Sequence, residues 1–504
     1  MNEKITVTVN GERYSAAPGT VLSEIISGER PCGGHGKCGK CRVVARGALC
    51  EPTDAERRIL SDAELSRGAR LACLARVYGD CEIETAENAR EEKILIDGVR
   101  ASFEQNPRFK KYGVAIDVGT TTVAARLYGA DGTALAEAAR LNPQSEWGAD
   151  VISRIEAALG GEREALAASI RAAIDGVIFE LAEQACIGSK EIDAAVITGN
   201  TTMLSLLTGE SVEPLSHAPF AAKRLFGEHL TAGELSLTAL SCDTGIYLPP
   251  CISAFVGADI ACALLASALT ERGDTAALVD IGTNGEMALW HNGRLTVTST
   301  AAGPAFEGVG ISMGMRGAVG AIDKVTVEDG ALSAHVIGGG NAVGVCGSGL
   351  VDAVACMLEL ELIDESGYLE EDELVIKAPV SLAPKDIRML QLAKSAIAAG
   401  IQTVIESEGL TADEVSVLYI AGGFGSYLNM DSAATIGLLP SALAKKARLV
   451  GNAALSGAAM LLLSKDLAGE CERLARSASA LNLSESPAFS EHYISAMAFS
   501  PISF

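Results

Sequence analysis

Val114–Tyr128, VAIDVGTTTVAARLY, and Ala277–Trp290, ALVDIGTNGEMALW, are two copies of one pattern. Each runs from an apolar, β-rich segment into Asp-x-Gly-Thr and then into a second apolar segment. Each continues through a turn, Gly129–Gly132 or His291–Gly293, to a third strand-like run. A tight turn favours Gly. It does not require Asp117 or Asp280 at the end of a buried strand, where an unpaired charge is costly. Two such hairpins facing each other would offer backbone N–H groups and hydroxyls to phosphates, and carboxylates to Mg²⁺.

Outside the hairpins, 504 residues exceed one hydrophobic core, so two to four domains are expected. The net charge of −24 and an aromatic content of 4% argue against nucleic-acid binding. The start, MNEKITVTVN, lacks the apolar stretch of a secretory signal, and no run is long enough to span a membrane. The expected location is the cytoplasm, with no membrane partner. There the 13 Cys serve as metal ligands or buried thiols rather than disulfides.

Residues 1–86 read as a small β-rich module. ITVTVNGERYSA alternates and turns at Asn10-Gly11, and VLSEIIS is a short helix candidate. Cys32, Cys38 and Cys41 lie in a Gly-rich loop, and Cys73 follows in RLACLARV. This C-x5-C-x2-C…C spacing suits a [2Fe–2S] cluster, with the first gap one residue longer than in plant-type ferredoxins. The rival is a structural zinc site, which prefers paired C-x2–4-C knuckles, and Cys73 has no such neighbour. His35 is a less suited ligand, and Cys50 and Cys81 are read as ordinary thiols. Residues 87–111 are charged and break the apolar pattern. They read as a linker of about 25 residues, reaching roughly 25–30 Å if coil-like.

The first copy opens a unit at 112–271. Helices are expected at 150–159 and 163–186, then a buried strand ending in Gly199-Asn200-Thr201-Thr202. Thr201 either contacts phosphate or caps the next helix. Asp259 either sits in a helix first turn, where an acid is favourable, or is a third carboxylate that positions water. The second copy opens a unit at 272–475. It continues into the Gly-rich run Gly303–Gly320, expected as a loop or broken helix holding Glu307, Met313, Met315 and Arg316. Helices are expected in CGSGLVDAVACMLEL and LAKSAIAAGIQTVIE. VSVLYIAGGFG is a strand running into Gly422, Gly423 and Gly425, which would let a planar adenine and ribose approach. GNAALSGAAMLLL is expected as the last helix, and residues 476–504 as a weakly patterned tail.

AIDVGTT, LVDIGTNGE and YIAGGFG together resemble the phosphate and adenosine motifs of the actin/sugar kinase/Hsp70 superfamily. With the Cys-rich module, and with AGPAFEG, GMR, CGSGLVD and GNAALSGA, the chain resembles the reductive activators of corrinoid proteins over about residues 1–475. The resemblance implies a multidomain fold: a ferredoxin-like (β-grasp) α+β domain, then duplicated ribonuclease-H-like α/β lobes. It implies ATP-dependent, one-electron reduction of Co(II) to Co(I) in a corrinoid protein of a methyltransferase system. The electron would come from an external ferredoxin or flavodoxin-like donor, and a homodimer stays open. Implied ligands are Cys32, Cys38, Cys41 and Cys73 for [2Fe–2S]. Asp117 and Asp280, with Asp259, would serve Mg²⁺ and water. Gly119, Thr120, Thr121, Thr122, Thr201, Gly282, Thr283 and Asn284 would meet phosphates, and Gly422, Gly423 and Gly425 the adenosine of ATP. Longer family members are expected to carry a further small domain between the linker and the ATPase, and this chain is expected to depart from them, since Tyr112 enters the first hairpin directly. Alternatives are a small-molecule kinase, an acyl-CoA-dehydratase-type activator, and an electron-transfer protein with a decayed ATPase half.

Overall fold

The computed structural model describes residues 4–26, 34–37, 39–85 and 96–504. By compactness the chain forms two units, residues 1–90 with 143–162, and residues 91–142 with 163–504.

In the first unit, alternation in ITVTV builds β1 (Ile5–Val9), and Asn10-Gly11, both at positive φ, returns it as β2 (Glu12–Ala16). β3 (Arg42–Leu49), β4 (Ala69–Leu71) and β5 (Val77–Glu84) complete a sheet ordered β2-β1-β5-β3-β4. β1 and β5 are parallel and the other pairs antiparallel, the mixed arrangement of a β-grasp. Val7, Leu22, Val77 and Ile83 are among its core residues. Two short helices, Asp54–Ile59 and Asp62–Ser66, start in capping boxes at Thr53/Glu56 and Ser61/Glu64. Only Leu22–Glu24 of the expected VLSEIIS helix forms, as a 3-10 turn, and residues 27–33 lie outside the described residues. Segment 143–162 carries a short helix, Val151–Ala157, capped by Asp150. Its buried Arg154 donates to Gly148 O at 3.0 Å and Gln144 Oε1 at 3.3 Å. The reading of 112–271 as one continuous lobe does not anticipate this grouping.

The second unit holds both hairpins. β6 (Tyr112–Val118), β7 (Thr122–Gly129) and β8 (Ala134–Leu141) form an antiparallel meander. β9 (Ile192–Gly199), β10 (Phe226–Thr231) and β11 (Gly245–Pro250) extend it to the order β10-β11-β9-β6-β7-β8. The second copy repeats the plan with β12 (Ala276–Ile281), β13 (Gly285–His291) and β14 (Arg294–Thr300). An insertion adds β15 (Ala321–Glu328), β16 (Ala331–Val336) and β17 (Gly344–Val345), then β18 (Leu374–Lys377) and β19 (Val380–Leu382). β20 (Val417–Ala421), β21 (Ala447–Gly451) and β22 (Ser479–Ala480) finish a sheet ordered β21-β20-β12-β13-β14-β22. In each copy the first hairpin strand pairs in parallel with a later strand, β9 or β20. Those four strands are almost wholly apolar, as strands covered on both faces must be. The apolar helices Ala258–Ser267 and Ala453–Leu463 share one core with both sheets.

Two expectations are corrected here. Residues 96–111 are not a free tether. Val99 N donates to Val450 O, Ala101 N to Ala266 O and Asn106 N to Leu463 O, at 2.9–3.0 Å, while Phe109 is buried. The segment is a strap whose burial comes from the surface it lies on. Nor is Ala453–Leu463 the last helix, because Ala468–Ser477 and Pro487–Ser495 follow. The tail pairs β22 with β14 and buries Phe499, over whose ring Lys394 Nζ lies 5.2 Å from the centroid. It closes on its own unit.

Candidate functional site

Asp117 and Asp280 are each the last residue but one of their strands, β6 and β12. Their side chains are half-buried. Burial and the Asp259 charge, in that order, push Asp117 up to about 7, with Asp280 adding to the rise; Asn452 Nδ2, donating to Asp117 Oδ2 at 3.1 Å, opposes it. Burial and then Asp259 push Asp280 to about 7 as well. Asp259 stands in the first turn of Ala258–Ser267, and its Oδ1 accepts from Ile260 N at 2.8 Å. Burial still lifts it to about 6. Glu286 faces Asp280 across the β12–β13 pair. It is 6% exposed, and burial together with Asp259 and Asp280 raises it well above the usual carboxyl range. Four carboxylates thus crowd one place, and none has an ion-pair partner among the described residues. Such a group neutralises itself by holding protons or a cation. Among the described residues no three of these side chains are close enough to ligate one ion directly, so a divalent cation here would be held through its own waters.

The hairpin tips border the cluster. Gly119 N donates to Thr122 O at 2.9 Å, closing the first. The Thr120 hydroxyl accepts from Asn200 Nδ2 at 3.1 Å. Thr121 Oγ1 and Thr283 Oγ1 both donate to the Glu307 carboxylate, the second at 2.6 Å. Asn284 hydrogen-bonds Glu286, and Gly282 lies between Asp280 and Asn284 in the turn. Gly422, at φ +92°, lies against Asp280, and a β carbon there would collide with Asp280 Oδ1. Gly423 faces open space, whereas Gly425 packs on Ile420.

Thr201 is a correction. It is fully buried, and its hydroxyl donates to Ser253 O at 2.7 Å, while Asn200 caps the helix Thr201–Thr208 through Met203 N. Its side chain belongs to the packing and not to the cleft. Glu286, Asn200 and Asn452 were missed. An acid at Glu286, where the other copy has apolar Val123, was the signal for the first. Both asparagines are the N-caps of the helices they precede, and nothing in the sequence shows that their side-chain NH₂ groups also reach Thr120 and Asp117.

In the first unit, Cys41 Sγ and Cys73 Sγ are half-buried and 3.3 Å apart. That is far beyond a disulfide bond. It is near the roughly 3.7 Å that two thiolates keep on one tetrahedral metal with bonds of about 2.3 Å. Cys32 and Cys38 lie outside the described residues. Cys50 Sγ accepts from Arg70 Nη2 and Arg76 N at 3.3 Å, and Cys81 is core.

Among the described residues no helix is long and apolar enough to cross a membrane. Two family models match, "C-terminal domain of RACo the ASKHA domain" at residues 274–503 and "RACo middle region" at residues 112–272. The second falls on the first hairpin copy itself. The chain is 34% identical over 431 residues to the corrinoid activation enzyme RamQ of Eubacterium limosum, covering 79% of this chain and 72% of that protein. It is 26% identical over 421 residues to the [Co(II) methylated amine-specific corrinoid protein] reductase of Methanosarcina barkeri, covering 77% of each. Among solved structures it resembles a reductive activator for corrinoid, iron-sulfur protein, with a TM-score of 0.73 and 27% identity over 99% of this chain and 98% of that one.

Proposed function

This chain belongs to the family of reductive activators of corrinoid proteins, and from that membership we propose that it returns one electron to Co(II) in a corrinoid protein at the expense of ATP. The observation that carries this reading is the coexistence, in one chain so related, of a Cys41–Cys73 thiol pair and a buried carboxylate cluster between two phosphate-type hairpins. Neither feature alone calls for the other. A kinase has no use for the thiols, and a simple electron carrier none for the carboxylates.

Cys32, Cys38, Cys41 and Cys73 would hold a [2Fe–2S] cluster, which supplies one-electron carriage. Asp117 and Asp280 would hold Mg²⁺ through its waters, and Asp259 would orient the attacking water. Gly119, Thr120, Thr121, Thr122, Gly282, Thr283 and Asn284 would receive phosphate oxygens. Gly422 and Gly423 would admit the adenosine, with Gly425 supporting the turn from below. An external low-potential carrier would reduce the cluster.

Energetics support a second energy source. Plant-type clusters sit near −400 mV, and a corrinoid acceptor about 100 mV lower imposes roughly 2.3 kcal/mol on a one-electron step. Coupling between two nucleotide states covers that amount. The test mixes the reduced protein, Mg·ATP and Co(II) corrinoid proteins and follows the Co(I) absorption band. The band should grow only with ATP present. Equal growth without nucleotide, or a phosphorylated small molecule with no Co(I), would overturn the reading.

A further inference from the structure

We propose that Glu307 is a latch that nucleotide phosphate displaces, and so a positioning residue that reports nucleotide state to the Gly-rich segment 303–315; this rests on the nucleotide reading above. The carboxylate accepts from Thr121 in the first hairpin and from Thr283 in the second, joining the two copies through one side chain. Each hydroxyl has one proton to donate. A phosphate oxygen that takes either proton therefore takes it from Glu307, and the carboxylate beside it repels the incoming charge. Latch and phosphate compete for the same two donors.

Glu307 is also well placed to pass on its release. It ends the 3-10 turn Pro304–Glu307, whose first flank is tied by Gly303 N to Thr283 O at 3.0 Å. Phe306, next to it, stacks on Phe424 of the Gly422–Gly425 turn, with centroids 4.6 Å apart and planes 19° from parallel. One short turn thus touches both hairpins and the adenosine-type loop. Beyond it, Ser312 N and Oγ donate to Asp386 Oδ1 at 2.7 and 2.9 Å, at the start of helix Pro384–Glu406. Met313 and Met315 pair by backbone with Val345 at 2.9 Å. Freeing Glu307 loosens the end of a segment anchored at its other end, so the change falls on residues 308–315.

The experiment titrates the full-length chain, wild type and Glu307→Ala, with Mg²⁺ and adenylyl imidodiphosphate by calorimetry. It then follows amide hydrogen exchange in 303–315. The variant should bind about tenfold tighter, which is about 1.4 kcal/mol. Exchange in 303–315 should rise on nucleotide addition in the wild type, and be fast with or without nucleotide in the variant. Should Glu307→Ala fail to fold by circular dichroism, Glu307→Gln reads the same competition through loss of the charge alone. A wild type that binds no nucleotide removes the nucleotide reading and the latch together. A wild type that binds, beside a variant that binds equally or more weakly, removes the latch alone and makes Glu307 a nucleotide ligand or a packing residue. Exchange in 303–315 indifferent to nucleotide in the wild type likewise overturns the reporting role.

Discussion

At Asp117 and Asp280 a carboxyl group near pKa 7 stands where the unfolded chain would have one near 3.9. The folded form holds its protons more tightly. The cluster's contribution to stability is therefore full below about pH 4 and is lost as pH rises through about 7. Above that, a bound divalent cation would do what the protons did. We expect the gain in thermal midpoint from Mg²⁺ and ADP to be several degrees larger at pH 8 than at pH 5.5; equal gains would show that the cluster does not meet the cation. Asp117→Asn should raise the nucleotide-free midpoint at pH 8 by on the order of 2 °C and slow ATP turnover by roughly two orders of magnitude. A lowered midpoint would instead make the carboxylate a structural group. The two aspartates were legible because the motif is repeated; the place of Asp259 beside them was not, since an acid in the first turn of a helix is accounted for by the helix alone. Thr201 was not, because its hydroxyl partner, Ser253 O, is distant in sequence and follows no pattern.

Elements that carry their own periodicity were read correctly, among them both three-stranded meanders, the Asn10-Gly11 turn and residues 392–406 of helix Pro384–Glu406, whose first two turns were not anticipated. Elements whose burial is conferred by another surface were not. Segment 96–111 has no apolar period, yet Asp97 O accepts from Asn452 N at 2.9 Å and Gly98 bridges Gly451. The tail is the same case, since Phe499 gains its burial from helix Pro384–Glu406 and residues about it. The crossing of the strap over Gly451 is tight. A β carbon on Gly98 would stand 2.5 Å from Asn452 O and 2.6 Å from Ser456 Oγ. Asn452 is also the residue that donates to Asp117. Gly98→Val should therefore lift the strap, shift Asn452 and cut ATP turnover about tenfold through a looser Asp117, while the near-ultraviolet circular dichroism of the chain persists. Undiminished turnover in a folded Gly98→Val protein would reduce the strap to packing.

On the scale of the whole molecule, thiols and carboxylates occur in separate compact units of one chain. One-electron transfer and nucleotide turnover should then be separable by mutation but not by function. Cys73→Ser removes one expected cluster ligand and leaves every carboxylate in place, so ATP turnover should persist and Co(I) formation should stop. Asp280→Asn keeps the thiols and should disable the proposed nucleotide site, so the cluster should still be reduced by dithionite, again without Co(I). Mixing the two variants asks whether the units must share a chain. If the nucleotide site acts on the redox unit through its own covalent strap, each variant chain carries one dead half and the mixture forms no Co(I). Co(I) formation restored in the mixture to a quarter or more of the wild-type rate would mean that one chain's redox unit serves another's nucleotide site, and the strap would then be no part of the coupling.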